Sequence, residues 1–336
     1  MKKTFLTLTA LLLLAFGPAS MAGAESVRLS YSNFFPPTHI HSQLAEAWCK
    51  EVEKRTNGKV VVDYYPGGTL TKAKQCYDGV VEGISDIGMS CLAYSRGRFP
   101  VMAAVDLPLG YTSGAQATAI ANAVAAKFSP AEFDDVQPMY FHAHGPGLLF
   151  TTETPVRTLA DLKGLKIRAT GNSAKLVKAL GGSPVAQPMP DSYQSLQKGV
   201  VDGSMHPIES NKGWKLGEVV KYCTESIPVG YTTTMFVVMN KGKWAKIDPE
   251  SRAIIEQINR EWTIRHGAAW DEADAIGRKF SLDKGAEILP LDPAEAEAWV
   301  KAAQPVMDEY TASPEGKKVD AAAVVEFIKA EMAKGP

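Results

Sequence analysis

The sequence predicts an α/β protein built from two similarly wound lobes, and three observations support this prediction. The chain has 336 residues, 45% of them hydrophobic, which suits about two globular domains. A strand-helix-strand-helix-strand order occurs twice along it, and such alternation is typical of a parallel sheet covered by helices. Both occurrences contain a Gly-Val-Val-acid-Gly pattern, at residues 79–83 and 199–203.

The composition excludes two broad classes of protein. Lys and Arg together number 36 and Asp and Glu number 37, which gives a formal net charge of −1. The hydrophobic fraction is too high for a disordered chain, and the near-zero charge argues against nucleic acid as a partner.

Residues 1–24 have the features of a secretory signal peptide. Lys2 and Lys3 precede an almost uninterrupted apolar run at residues 6–16, and small residues follow at 22–24. The run is too short for a membrane-spanning helix, and no later segment offers ~20 consecutive apolar residues. We therefore expect an exported, soluble mature chain, whose net charge becomes −3 because the removed segment carries two lysines and no acids.

The first lobe begins with five regular elements. The periodicity of apolar residues predicts, in order, a strand at 27–32, a helix at 38–54, a strand at 60–65, a helix at 71–82 and a strand at 84–89. Asn57-Gly58 and Gly83 end the two helices, and Pro66-Gly67-Gly68 turns the chain after the second strand.

The second lobe repeats this alternation of strands and helices. The same reasoning predicts a strand at 165–168, a helix at 173–180, a strand at 183–185 and a helix at 191–201. A separate β-rich run follows at 231–239. A long helix then begins at Pro249, with Asp248 as its cap, and runs to about Lys279. At 1.5 Å per residue it would be about 45 Å long, enough to cross both lobes. We expect the alanine-rich helical segment 292–334 to pack outside the second lobe.

Four cysteines, Cys49, Cys76, Cys91 and Cys223, show no Cys-x-x-Cys spacing, so neither a zinc ribbon nor a thioredoxin-like motif is supported. An exported protein can form disulfides, and a Cys76–Cys91 bridge is the favoured pairing because a short helix and a turn would return both to one sheet edge. The alternative is four buried, unpaired thiols that act as small apolar residues.

No familiar catalytic motif is present. The sequence lacks a Gly-x-Ser-x-Gly elbow, a His-Glu-x-x-His pair, a phosphate-binding lysine loop and a Gly-x-Gly-x-x-Gly turn that opens a helix. We therefore predict neither an enzyme nor a cofactor. The leading alternative is an exported hydrolase that uses His206 with Glu209.

Four histidines occur as two i, i+2 pairs, His39-x-His41 and His142-x-His144. On a strand such residues share a face, so each pair could offer two imidazoles to a metal ion. No cysteine or acidic cluster completes such a site, so ordinary hydrogen bonding is favoured and no metal is predicted.

Three segments, at 163–168, 181–185 and 196–203, carry a resemblance to a known family. In these segments, and in shorter matches such as the Pro66-Gly67-Gly68 turn and Leu107-Pro108, the sequence resembles the substrate-binding subunit of tripartite ATP-independent periplasmic (TRAP) transporters. The resemblance covers essentially the whole mature chain.

The resemblance implies a class II-like periplasmic binding protein whose two lobes close over a ligand. Lobe I would comprise 25–145 plus 234–270, and lobe II 146–233 plus 271–336, with the long helix spanning both. Such a protein is a monomer in the periplasm that binds a small organic carboxylate and delivers it to integral-membrane permease subunits. A sensor-coupled binding protein with the same cleft is an alternative.

Arg168 matches the arginine with which the family fixes the ligand carboxylate. A planar guanidinium suits this role because it can make two parallel hydrogen bonds to a carboxylate. Where sialic-acid-binding members place a second arginine, this chain has Leu148, which argues against sugar acids. His206 replaces an asparagine and remains a possible donor to a carboxylate.

Further site residues follow by alignment or by proximity. Met189 takes the place of a phenylalanine that lines the pocket, and Asn33, followed by Phe34, matches a first-strand asparagine. Ser90 lies where an acidic contact can occur. The aromatic residues that either line the pocket or belong to the core are Tyr94, Trp214, Tyr231 and Phe236. With one cation and few polar groups, the predicted ligand is an aromatic or aliphatic monocarboxylate.

Overall fold

The computed structural model describes residues 26–335, so the predicted signal peptide lies outside the described residues. The strands are β1 Val27–Asn33, β2 Val60–Tyr65, β3 Ile87–Cys91, β4 Val136–Ala143, β5 Gly147–Thr151, β6 Lys166–Ala169, β7 Ser183–Ala186, β8 Gly203–Pro207, β9 Tyr222–Glu225, β10 Thr234–Asn240 and β11 Glu287–Pro290. The α-helices are α1 Ile40–Arg55, α2 Cys76–Val81, α3 Gly114–Phe128, α4 Gly171–Ala179, α5 Ser192–Gln197, α6 Ser210–Gly213, α7 Lys241–Lys246, α8 Pro249–Asp283, α9 Pro293–Ala312, α10 Pro314–Lys318 and α11 Ala321–Met332.

The strands form two sheets flanked by helices, which confirms the predicted two-lobed α/β fold. One sheet, in lobe I, has the order β2-β1-β3-β10-β4, and the other, in lobe II, has the order β11-β9-β5-β8-β6-β7. In lobe I, β1 is followed by α1 and then by β2, which lies on one side of β1, whereas β3 lies on the other side. In lobe II, β6 is followed by α4 and then by β7, which lies on one side of β6, whereas β8 lies on the other side. The same winding is therefore used twice.

The sheets are mixed, whereas the sequence pattern predicted parallel ones. β10 runs antiparallel to β3 and β4, and β5 runs antiparallel to β8 and β9. β5 and β10 are the strands by which the chain enters one sheet directly from the other. They start at the edge where the parallel strands end, so they run in the opposite direction. Spacing within a strand carries no information about this direction.

The shared Gly-Val-Val-acid-Gly pattern lies where each lobe passes from a helix toward its third strand, but at a different point: residues 79–81 still belong to α2, whereas residue 199 follows the end of α5. In the first copy Gly83 has φ +77°, whereas in the second it is Gly199 that has φ +66°. Gly203 already belongs to β8, four residues after that turn. The two copies share a sequence, but the glycine with positive φ is the last residue of the pattern in the first copy and the first residue in the second.

Helix α8 crosses both lobes, as predicted, and ends at Asp283 rather than near Lys279. Its 35 residues span about 52 Å. The Asp248 side chain caps it by accepting from Ser251 N. It packs against α1 and α3 of lobe I and against α6 of lobe II. Within residues 26–335 no helix is long and apolar enough to cross a membrane.

The C-terminal helices divide between the lobes, so the expectation that the whole segment packs on the second lobe is wrong for α11. Helix α9 lies on α4 and buries Trp299 in the lobe II core. Helix α11 packs on α3 of lobe I, where Val324 and Ile328 are buried. The apolar face of α11 signals burial, but helical spacing does not identify the partner.

The predicted Cys76–Cys91 disulfide is wrong, because all four cysteines are free and buried. Gly88, on β3, faces α2, and a Cβ there would lie 2.8 Å from Cys76 Sγ. Strand side chains alternate, so Cys91, three residues further on, points to the opposite face of the sheet. The alternative of buried thiols acting as apolar residues is confirmed.

Candidate ligand-binding cleft

A cavity lies between the two lobes. Side chains of both lobes and of α8 surround it. The lining residues are Phe34, Phe35, Cys91, Tyr94, His144, Arg168, Thr170, Met189, Met205, His206, Pro207, Glu209, Ser210, Trp214, Tyr231, Thr233, Met235 and Trp270.

Arg168, on β6, brings a buried positive charge to this cavity. Its side chain is held by the protein backbone, since Nε donates to the Gln187 oxygen at 2.9 Å and Nη1 donates to the Met205 oxygen at 3.2 Å. A guanidinium has five N–H groups, so three remain for a ligand. The residue is 2% exposed, and among residues 26–335 it forms no ion pair. Burying an uncompensated charge is costly, so the site is built for an anion.

Aromatic rings cover much of the remaining surface. Phe34 of lobe I stacks on Trp214 of lobe II, with ring centroids 5.9 Å apart and 18° between the planes. Tyr94 meets Phe34 edge to face at 5.8 Å. Flat, apolar surfaces of this kind favour a planar or aromatic ligand body over a polyhydroxylated one.

His206 lines the cavity but has no N–H to offer a carboxylate. Asn211 Nδ2 donates to Ser281, so the Asn211 oxygen faces His206 and accepts from its Nε2–H at 3.1 Å. The other nitrogen, Nδ1, accepts from the Ser204 hydroxyl at 2.9 Å. Burial lowers the pKa of His206 to about 3, so the ring is neutral at pH 7.

The hydrolase pair suggested by sequence does not form. The Glu209 carboxylate accepts from His39 Nε2 at 3.0 Å and from the Ser210 hydroxyl at 2.5 Å, whereas His206 bonds to other residues. Both His39 and Glu209 are almost fully buried. Because His39 belongs to lobe I and Glu209 to lobe II, the pair joins the lobes beside the cavity.

Neither i, i+2 histidine pair converges, but the fold brings together His41, His142 and His266. The Nδ1 atoms of His41 and His266 lie 2.7 Å apart with 15° between the rings, which is the geometry of an N–H···N hydrogen bond. His142 stacks flat on His266 at 4.2 Å. Ring lone pairs in stacked planes do not converge, so the cluster has the geometry of a hydrogen-bonded stack rather than of a metal site.

Six of the ten predicted ligand-binding residues line the cavity and four do not. Those that line it are Arg168, His206, Met189, Phe34, Tyr94 and Trp214. Asn33 lies behind it, where its Oδ1 accepts from Phe35 N. Ser90 and Phe236, paired across β3 and β10, point to the α2 face, and Leu148 is packed in the core.

Sequence reasoning did not assign His144 and Trp270 to the ligand site. His144 follows β4 at the crossing between lobes, and it was considered only as half of a metal pair. Trp270 continues a buried face of α8 with Trp262 and His266, at spacings of four residues. That spacing was visible in the sequence, but it shows burial without showing what lies opposite.

Comparison with known proteins agrees with this geometry. Residues 31–313 match the DctP family, described as bacterial extracellular solute-binding protein, family 7. The 2,3-diketo-L-gulonate-binding periplasmic protein of Escherichia coli is 28% identical over 71% of this chain and 72% of its own length.

Two solved structures extend the comparison. A TRAP periplasmic solute-binding protein of Bordetella bronchiseptica with bound mandelate is 30% identical, with a TM-score of 0.85 over 92% of this chain and 99% of that one. One of Rhodoferax ferrireducens with copurified benzoate is 27% identical, with a TM-score of 0.86 over 92% and 98%. The chain belongs to the DctP family of bacterial extracellular solute-binding proteins and is a TRAP solute-binding protein.

Proposed function

We propose that this TRAP solute-binding protein takes an aromatic monocarboxylate as its ligand. The observation that carries the proposal is Arg168, a buried guanidinium with free N–H groups and no counter-ion among residues 26–335, set among stacked aromatic rings. A ligand carboxylate supplies the missing charge, and the aromatic body packs against rings such as Phe34 and Trp214. The mandelate and benzoate of the two related structures support this assignment.

One carboxylate suits the cavity better than two. Arg168 is the one arginine that lines it, and no lysine does, within the described part of the chain. Leu148 stands where sialic-acid-binding members of the family place a second arginine, and it is 4% exposed. The Glu209 carboxylate, near the cavity, would repel a second anionic group. Dicarboxylates and sugar acids are therefore disfavoured.

The lobes work as a clamp that closes on this ligand. The moving units are 26–145 with 234–270 and helix α11, which packs on α3, and 146–233 with 271–312. Contacts across the cleft, such as Met189 N donating to the Tyr94 hydroxyl at 3.0 Å, stabilise the closed form. Closure excludes water, which strengthens the ion pair with Arg168. The protein acts as a monomer in the periplasm, delivers the ligand unchanged to the permease, and is not an enzyme.

A carboxylate panel tests the proposal. Isothermal titration calorimetry and thermal-shift assays should detect binding of benzoate, hydroxybenzoates, phenylacetate or mandelate. Succinate and glucuronate should bind only weakly. Mass spectrometry after denaturation should recover the added acid unchanged. Binding of glucuronate or succinate in preference to every aromatic acid would refute the aromatic monocarboxylate.

A further inference from the structure

His144 occupies a fixed position beside the ligand cavity. It follows β4 at the crossing between lobes and is 3% exposed. Its backbone oxygen accepts from the Thr232 hydroxyl at 2.7 Å, and its ring meets Tyr231 and Trp270 edge to face. The imidazole is thus held in one orientation by groups on both sides.

The hydrogen bond of one ring nitrogen determines the state of the other. His144 Nδ1 lies 2.5 Å from the Gly145 backbone oxygen, and a carbonyl can only accept, so Nδ1 carries the hydrogen. Burial lowers the pKa of His144 to about 4, opposed by that hydrogen bond and by the charge of Glu209 and aided by the charge of Arg168. At neutral pH Nε2 is therefore an unprotonated acceptor.

Nε2 has no hydrogen-bond partner among residues 26–335. The other imidazole and carboxylate groups that line the cavity are satisfied, since His206 uses both nitrogens and both Glu209 oxygens accept protein hydrogens. His144 Nε2, unlike His41 Nε2, is not wholly enclosed by protein atoms, so it is accessible at the cavity. The acceptor left beside this cavity is one that a ligand can complete.

We propose that the ligand carries, besides its carboxylate, a neutral hydrogen-bond donor such as a hydroxyl group, which donates to His144 Nε2. This inference rests on the proposed function, because it takes the carboxylate to be bound by Arg168. The site then selects hydroxylated aromatic acids over their parent acids. A methyl ether cannot replace the hydroxyl, because it has no hydrogen to donate.

Matched ligands test the inference on the wild-type protein. The first set is benzoate with its ring-hydroxylated and ring-aminated forms and the methyl ethers of the hydroxy forms. The second set is phenylacetate with mandelate, its α-hydroxy form, and α-methoxyphenylacetate, the methyl ether of mandelate. In calorimetry, the best hydroxy or amino acid should bind about tenfold more tightly than its parent. Its methyl ether should bind no better than the parent.

The variant His144→Phe keeps a ring against Tyr231 and Trp270 but removes the acceptor. The ratio of hydroxy-acid to parent affinity should fall to within about twofold of unity, and this ratio is insensitive to a general loss of affinity. Three results would overturn this inference and leave the proposed function standing. They are an affinity ratio near unity in the wild type, a methyl ether that binds as tightly as the hydroxy acid, and a ratio that the variant leaves unchanged. Failure of the wild type to bind any aromatic acid would instead overturn the proposed function. The wild-type series decides the matter even where the variant does not fold.

Discussion

Arg168 is buried in a site to which the described part of the chain brings no other arginine or lysine, so its role can be tested by one substitution. Replacing it with alanine removes two charge-assisted hydrogen bonds to the ligand, each worth about 1.5–3 kcal/mol. Arg168→Ala should therefore weaken binding of the preferred aromatic acid by about 10²–10⁴-fold in calorimetry. Arg168→Lys should recover only part of this loss, because a lysine offers no bidentate geometry.

A matched control separates binding from folding. Arg157 pairs with Glu287 on the surface, so Arg157→Ala should leave affinity within about twofold of wild type. Because Arg168 lacks a counter-ion, its alanine variant without ligand should unfold at or above the wild-type temperature. Retention of most affinity by Arg168→Ala would remove this residue from the ligand site.

The four cysteines should be reduced and protected in the folded protein. Burial raises the pKa of the Cys76, Cys91 and Cys223 thiols to about 12, and each cysteine is buried. A thiol reagent should detect almost none of them in native protein, and all four after unfolding without reductant. Two reactive thiols in the unfolded protein would instead indicate a disulfide.

At the scale of the element, α8 depends on small residues where it touches the second lobe. A Cβ at Gly277 would lie 2.3 Å from the backbone oxygen of Ile208. Gly277→Ala should therefore lower the free energy of unfolding by about 1–3 kcal/mol, although alanine favours a helix by about 1 kcal/mol. Chemical denaturation measures this change.

The same helix offers a control position. Ala275 is exposed, and Ala275→Ser should change stability by no more than about 0.5 kcal/mol. A Gly277→Ala protein as stable as wild type would show that α8 can move away from the 208–209 backbone without cost. In that case α8 would not be a rigid brace between the lobes.

At the scale of the molecule, contacts between lobes should contribute to affinity without touching the ligand. Asn172, at the start of α4, donates from Nδ2 to the Ala103 oxygen of lobe I at 2.7 Å, and it does not line the cavity. Because this bond exists only when the lobes are closed, Asn172→Ala should weaken ligand binding about three- to tenfold by shifting the population toward the open form. Calorimetry gives the affinity, and small-angle scattering reports the open fraction.

Lys178 lies on the same helix but is exposed, so Lys178→Ala is the control and should bind like wild type. The melting temperature of ligand-free Asn172→Ala should also remain close to that of wild type. An unchanged affinity in Asn172→Ala would mean that this contact does not contribute to closure.

The buried titratable groups predict a stability maximum near neutral pH. Burial lowers the pKa of His144 to about 4 and of His206 and His266 to about 3, and it lowers the pKa of His41 and His142 well below normal. The unfolded state therefore binds more protons below about pH 6.5, and this contribution to stability is lost as the pH falls from about 6.5 toward 4.

Buried carboxyl groups act in the opposite direction. Burial and the Glu209 charge raise the pKa of Asp274 to about 8, and burial raises that of Asp106 and Glu132 to about 7. Between about pH 4 and pH 7 to 8 the folded state retains these protons and the unfolded state does not, so this contribution to stability is lost as the pH rises across that range. Below about pH 6.5 the five histidines outweigh the three carboxyl groups, so stability rises with pH. Above pH 6.5 the histidines no longer contribute and the carboxyl groups lower stability, so the melting temperature should peak at about pH 6.5. Asp274→Asn should flatten the alkaline side, and a melting temperature that rises steadily from pH 5 to 8 would contradict this account.

Much of the fold followed from the sequence, because it depends on periodicity. Strand β2 occupies residues 60–65 and helix α8 begins at Pro249, as apolar spacing and the capping residue predict. The antiparallel direction of β10 and the partner of α11 did not follow, because both depend on segments far away in the chain.

The sequence by itself determined the two-lobed α/β architecture, the family, and the presence of Arg168 at the end of a strand, since these depend on local pattern and on motif order. Only the tertiary structure decided which side chains face the cavity. It turned Ser90 and Phe236 to the other face of their sheet, paired Glu209 with His39, and left one nitrogen of His144 unpartnered. Hydrogen bonding and burial are properties of residues brought together from both lobes, so no local pattern in the chain records them.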